Sequence, residues 1–268
     1  MNLAFCFGVP KSGTTFLQMI LNAHPEVSCP SEHQFEYFHR TLPDLFGGYT
    51  QVLKDVDART GGQGSSPFTD DDRVPVLQAV IRTAAKRGAD GRDVVWHGVN
   101  DNAITSRCRQ YMNWFPKARF ICIVRDPRSV IVSSWHHNHR IDNGFQSMVD
   151  NLDDWARTAA DIWVRDMNGV TELMADSNFS DRMTVCRYED LVTSPETSYR
   201  ELFEFIGVTS SIEVLAPIID VTDFGNMRDD AFFRKASIDG WSDELSSNAL
   251  GGIIGACGEL MDRYQYEK

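Results

Sequence analysis

FCFGVPKSGTTFLQMILNAH, residues 5–24, joins a short apolar run to an apolar pattern of helical period through a turn of glycine, lysine and hydroxyl residues. Ala4, Phe5, Cys6 and Phe7 have the length and bounding glycine of a buried strand, whereas Phe16, Leu17, Ile20 and Leu21 recur as one face of a helix. Between them lies Gly8-Val9-Pro10-Lys11-Ser12-Gly13-Thr14-Thr15. Such a strand-to-helix turn gathers unpaired backbone N–H groups, the hydroxyls of Ser12, Thr14 and Thr15 and the positive end of a helix around one point. That point suits a phosphate or a sulfate.

The nucleoside-triphosphate loop, GxxxxGK followed by Ser or Thr, carries its lysine directly after the second glycine and a magnesium-holding hydroxyl next. Here Gly8 and Gly13 have that separation, but Thr14 stands where the lysine belongs and Lys11 lies inside the loop. A mid-loop lysine can rest against the bridging oxygen of a group being transferred, supplying charge that a metal otherwise provides.

The chain has 268 residues, enough for one α/β domain with a substantial core, and no Pro/Gly/Ser-rich linker divides it. Its 26 basic and 38 acidic residues leave a net charge of -12, which argues against general nucleic-acid binding and against polyanionic acceptors. A cationic pocket is then a local exception. The six cysteines form no CxxC pair and read as small core hydrophobes in a reducing compartment. The first strand begins almost at once, and no apolar run approaches the ~20 residues of a membrane span. The expectation is a cytoplasmic protein that engages neither membrane nor nucleic acid. Its oligomeric state is not legible.

PKSGTT at 10–15, followed by a helix ending in AHP at 23–25, resembles the 5'-phosphosulfate loop of sulfotransferases that use 3'-phosphoadenosine-5'-phosphosulfate (PAPS). The family's second signature is a strand ending in an arginine, with a serine two helical turns later, both gripping the 3'-phosphate. Residues 118–133, ARFICIVRDPRSVIVS, supply it with Arg125 and Ser133 in the matching places. The resemblance implies that Lys11, Ser12, Gly13, Thr14 and Thr15 hold the 5'-phosphosulfate. No metal is required, and the product is 3'-phosphoadenosine-5'-phosphate (PAP).

Further along, HPEVSCPSE at 24–32 looks especially like the tyrosylprotein branch; in the tyrosylprotein and glycan branches a glutamate at the position of Glu32 accepts the acceptor's proton. Asp93–Gly98 reads as an apolar strand closed by a glycine, which sets His97 at the carboxyl end of a parallel strand, where open α/β sheets place ligands. A histidine at a comparable strand end is the base in the cytosolic branch, so Glu32 and His97 both remain candidates. Asn100 stands where many relatives have a lysine.

Residues 40–75, with Gly47-Gly48, Gly61-Gly62 and an acidic triplet at 70–72, read as a loop beside the acceptor site, and Val74–Arg87 as a helix. His136 and His139 are spaced to share a helical face but lack a third metal ligand of recognisable spacing. The segment YEDL at 188–191 matches a third family region, whose tyrosine, here Tyr188, reaches the adenine. The run FRKASIDGW at 233–241 resembles the loop that closes over the 3'-phosphate, with Arg234 and Lys235 as phosphate contacts and with Ala236 and Asp239 in place of glycines.

These readings converge on one α/β domain over 1–268, a P-loop-type parallel sheet flanked by helices on both faces, with an acceptor-side loop and helix insert at 40–92. The expected activity is transfer of a sulfuryl group from PAPS to a hydroxyl, or secondarily an amine, of a small molecule or peptide. The alternatives are a P-loop kinase or NTPase and a nucleotide-binding module without turnover.

Overall fold

The computed structural model describes residues 1–62, 66–141, 144–223, 225 and 240–268. Five parallel strands form its sheet: β1 (Asn2–Gly8), β2 (Val27–Ser28), β3 (Trp96–Asn100), β4 (Arg119–Val124) and β5 (Met183–Arg187), in the order β2-β3-β1-β4-β5. All pairings are parallel, with Cys6 opposite Asn100 and Gly8 opposite Ile123. The carboxyl ends of β3, β1 and β4 therefore lie side by side at the centre of the sheet.

Alternation along each strand decides which layer it packs against. Leu3, Phe5 and Phe7 of β1, with Phe120, Cys122 and Val124 of β4, face one core. That core is covered by α3 (Arg73–Gly88), α4 (Ile104–Trp114), α5 (Pro127–Arg140), α6 (Leu152–Ala175) and α10 (Ser247–Arg263). Ala4 and Cys6, with Ile121 and Ile123, face the second core, under α1 (Thr14–Ala23), α7 (Tyr188–Thr193), α8 (Pro195–Ile206) and α9 (Ile212–Thr222). This is the expected single α/β unit. Among the described residues no helix is long and apolar enough to cross a membrane.

Two expectations are corrected. Residues 40–60 are not a loop: α2 runs Glu36–Thr60, with Pro43 and Gly47-Gly48 inside it. Its apolar residues Phe38, Leu42, Phe46 and Tyr49 keep a helical period that the glycine pair obscures. Leu42 and Phe46 pack against Leu77 of α3, and a Cβ built at either glycine meets nothing within 4 Å, so neither glycine marks a turn.

The strand expected at 93–98 lies at 96–100. Gly98 is its middle, because a Cβ there would stand 2.6 Å from Cys29 Cβ and 2.7 Å from the Ser28 carbonyl oxygen. The glycine lets β2 approach β3 closely instead of ending the strand.

Candidate active site

The loop between β1 and α1 is built on two close approaches. Gly8 lies so near β4 that a Cβ would meet the Ile123 carbonyl oxygen at 2.4 Å, and Gly13, with φ 97°, caps α1 where only a residue without a side chain fits easily. Lys11 itself holds φ 76°, an uncommon backbone state for a non-glycine residue. The Ser12 N–H donates to the Val9 carbonyl oxygen at 3.0 Å, which closes the turn. Ser12 is fully buried, yet its Oγ has no partner among the described residues. A buried hydroxyl left unpaired at the start of a helix is a group waiting for an acceptor.

Arg125 follows β4 directly and comes back onto the loop: its Nη1 donates to the Lys11 carbonyl oxygen at 3.4 Å. Its guanidinium lies 4.3 Å from the centroid of the Tyr188 ring, and its buried Nε is unpaired among the described residues. Tyr188, 5% exposed, wedges beneath both. A Cβ on Gly13 would sit 2.5 Å from Tyr188 Cδ2, and the ring meets Phe16 edge-on with centroids 5.9 Å apart. The tyrosine expected at the adenine thus has the loop and Arg125 as its described neighbours. Asp126 caps α5 by accepting the Arg128 N–H at 2.8 Å, which fixes the direction of the helix that carries half-buried Ser133.

Glu32 reaches the same rim from the other side. Its backbone bridges to Asn100 at the end of β3, and its Oε1 accepts from Asn102 Nδ2 at 3.1 Å. Partial burial and then the charge of Asp101 push its carboxyl above the ordinary range, against the pull of the Asn102 hydrogen bond and of Lys11. The Lys11 ammonium is pushed down by burial first, then by Arg140 and Arg125, and is held up by Glu32. The buried Oδ1 atoms of Asn100 and Asn102, also unpaired among the described residues, are acceptors suited to a hydroxyl that enters beside Glu32.

His97 is not part of this rim. It is the second residue of β3, opposite Leu3, and its Nδ1 lies 3.3 Å from the Ala85 carbonyl oxygen of α3. Three residues of strand, about 10 Å, separate it from Asn100. The shift of β3 by two residues relative to the expected strand is what removes it. Arg234 and Lys235 lie outside the described residues. Of the histidine pair, His136 is bonded to Glu244, while His139 packs on Trp135 with centroids 4.0 Å apart.

Two residues that sequence reasoning passed over belong here. His137 and Arg140 follow Ser133 at i+4 and i+7 on α5, and both act on Lys11 or are acted on by it: burial and then the charges of Lys11 and Arg140 push the His137 imidazole down. The helical spacing from Ser133 is the signal that could have found them.

A model of the sulfotransferase family matches residues 4–211. The chain belongs to this family. Among similar members, protein-tyrosine sulfotransferase 1 of Danio rerio is 27% identical over 223 residues, covering 80% of this chain and 56% of its own length. The omega-hydroxy-beta-dihydromenaquinone-9 sulfotransferase of Mycobacterium tuberculosis is 30% identical over 166 residues, covering 60% and 39%. This sulfotransferase-family chain spans about half the length, or less, of such relatives. In fold it resembles a mouse sulfotransferase complexed with PAP, with TM-score 0.61, 15% identity and coverage of 97% and 83% of the two chains. The sulfotransferase domain of the Synechococcus PCC 7002 olefin synthase has TM-score 0.59, 19% identity and coverage of 100% and 96%.

Proposed function

We propose that the chain moves a sulfuryl group from PAPS to a hydroxyl, or secondarily an amine, of a peptide or small-molecule acceptor. The observation that carries this reading is the contact between Lys11 and Arg125. It puts an anion cradle and a guanidinium with an unpaired Nε into one site, as a nucleotide with an anion at each end requires. The unpaired Ser12 Oγ and the N-terminus of α1 suit the 5'-phosphosulfate, together with Gly13, Thr14 and Thr15, and Arg125 and Ser133 suit the 3'-phosphate.

The donor brings the sulfuryl group and a phosphate leaving group. Lys11 holds a positive charge where negative charge develops on the leaving oxygen, a preorganised contribution that needs no metal. Glu32 accepts the acceptor's proton; the hydrogen bond from Asn102 orients its carboxylate, and its raised affinity for protons suits a general base. A protein-tyrosine sulfotransferase and an omega-hydroxy-beta-dihydromenaquinone-9 sulfotransferase among the relatives support hydroxyl acceptors on peptides and on small molecules. A kinase or NTPase reading lacks its lysine, because Thr14 occupies that position.

The test is transfer of radiosulfur from labelled PAPS, in excess chelator, to a panel of phenols, alkanols and amines. Label on at least one hydroxyl compound or tyrosyl peptide is expected. No transfer to any of them, with thermal stabilisation by magnesium–ATP alone, contradicts the proposal.

A further inference from the structure

The first two residues of α7 meet Arg125 at two points. The Tyr188 ring lies under its guanidinium, with the centroid 4.3 Å away. The next residue, Glu189, is 7% exposed, and its Oε1 accepts the Asp126 N–H at 3.1 Å. That N–H belongs to the planar peptide group joining Arg125 to Asp126, so Glu189 grips the main chain at the point from which the arginine side chain departs. The other carboxylate oxygen, Oε2, accepts the hydroxyl of buried Tyr266 at 2.9 Å. A buried carboxylate bonded to two uncharged donors is a weak source of stability. What it does supply is a tie between the main chain behind Arg125 and the segment after α10. That segment also reaches α5. The Glu267 carbonyl oxygen accepts from Arg128 Nη2 at 2.7 Å, and the same guanidinium pairs with the Asp126 carboxylate at 2.6 Å. Asp126 is therefore held at its N–H and at its side chain.

We propose that Glu189 is a positioning residue for the nucleotide: braced by Tyr266, it holds the main chain at Arg125 so that the guanidinium meets the 3'-phosphate. The proposal rests on the reading above, in which Arg125 takes that phosphate. A guanidinium engages a phosphate through a planar fork, and a small rotation of the main chain that bears it spoils the aim. Tyr188 bounds one face of the guanidinium, and the Glu189 hydrogen bond fixes the peptide group behind it. The segment after α10 thus acts on the nucleotide only through Glu189 and Arg125.

The test compares PAP with adenosine 5'-phosphate, which lacks only the 3'-phosphate, each titrated by calorimetry. Glu189→Ala is expected to bind PAP at least about ten-fold more weakly than wild type and adenosine 5'-phosphate within about two-fold. Glu189→Gln should recover most of the PAP affinity, because its amide oxygen can take the Asp126 N–H while its amide N–H turns to the Tyr266 oxygen. Tyr266→Phe leaves Glu189 in place with one bond fewer and should weaken PAP alone by about three-fold. Equal weakening toward the two nucleotides, or a lower melting temperature with their affinity ratio unchanged, would make these contacts merely structural and overturn the proposal. No gain of Glu189→Gln over Glu189→Ala would overturn it as well. Should Glu189→Ala fail to fold, an unchanged ratio in Tyr266→Phe overturns it. Wild-type protein that binds neither nucleotide, or binds both alike, would sink the reading of Arg125 itself, whereas wild-type preference for PAP that the variants leave unmoved sinks only the role of Glu189.

Discussion

In the proposed reaction, Lys11 is the residue on which the chemistry turns. Its backbone is held at positive φ, its carbonyl oxygen accepts from Arg125, and its ammonium is partly buried, pushed down by burial and the charges of Arg140 and Arg125 and held up by that of Glu32. Lys11→Ala should lower turnover by about 10²–10³, the usual loss of one preorganised donor, while PAP binding stays measurable. Near-normal turnover would remove Lys11 from the mechanism. The two perturbed groups also set a pH dependence. Glu32 must be unprotonated to accept a proton, so the rate falls as pH drops through its raised pKa. Lys11 must be charged, so the rate falls again as pH rises through its lowered pKa. The pH–rate profile should be a bell narrower than unperturbed carboxylate and lysine values allow, and Glu32→Gln should abolish its acidic limb. His97→Ala should leave turnover within about two-fold, since the imidazole turns to the Ala85 carbonyl on the other side of β3; a loss of 10²-fold, on the scale of a catalytic base, would restore His97 as a candidate.

At the scale of elements, glycines decide how closely the parts approach. Gly98→Val forces β2 away from β3 and should cost about 1–3 kcal/mol, read as a lower melting temperature and a lower denaturation midpoint. Gly13→Ala meets the Tyr188 ring and a positive φ together, so it should disturb the loop and weaken PAP binding beyond its effect on stability. What was legible in the sequence followed partly from pattern and turn chemistry and partly from resemblance. The length and bounding glycine of residues 4–7 showed a buried strand, whereas Arg125 as the second half of the site was implied by the likeness of residues 118–133 to the sulfotransferase signature. Gly98 misled because a glycine that closes a strand and a glycine that lets two strands touch are indistinguishable without the neighbouring strand. Gly47-Gly48 misled because helix propensity is a weak force beside the packing of Leu42 and Phe46 on Leu77. His137 and Arg140 were within reach of the same helical arithmetic, but it was spent on the neighbouring pair His136 and His139.

Over the whole molecule, the order β2-β3-β1-β4-β5 brings three strand ends together, and each delivers one part of the site: the loop after β1, Arg125 after β4, and Asn100 with Glu32 at the end of β3. Distant stretches of chain thereby meet at one edge of the sheet in an acidic protein. Titration calorimetry of PAP in the presence of excess chelator tests this arrangement most directly. Binding at one site per chain, abolished or weakened at least about ten-fold by Arg125→Ala, is the predicted result. Absence of PAP binding to the wild type, or binding indifferent to Arg125, would contradict it.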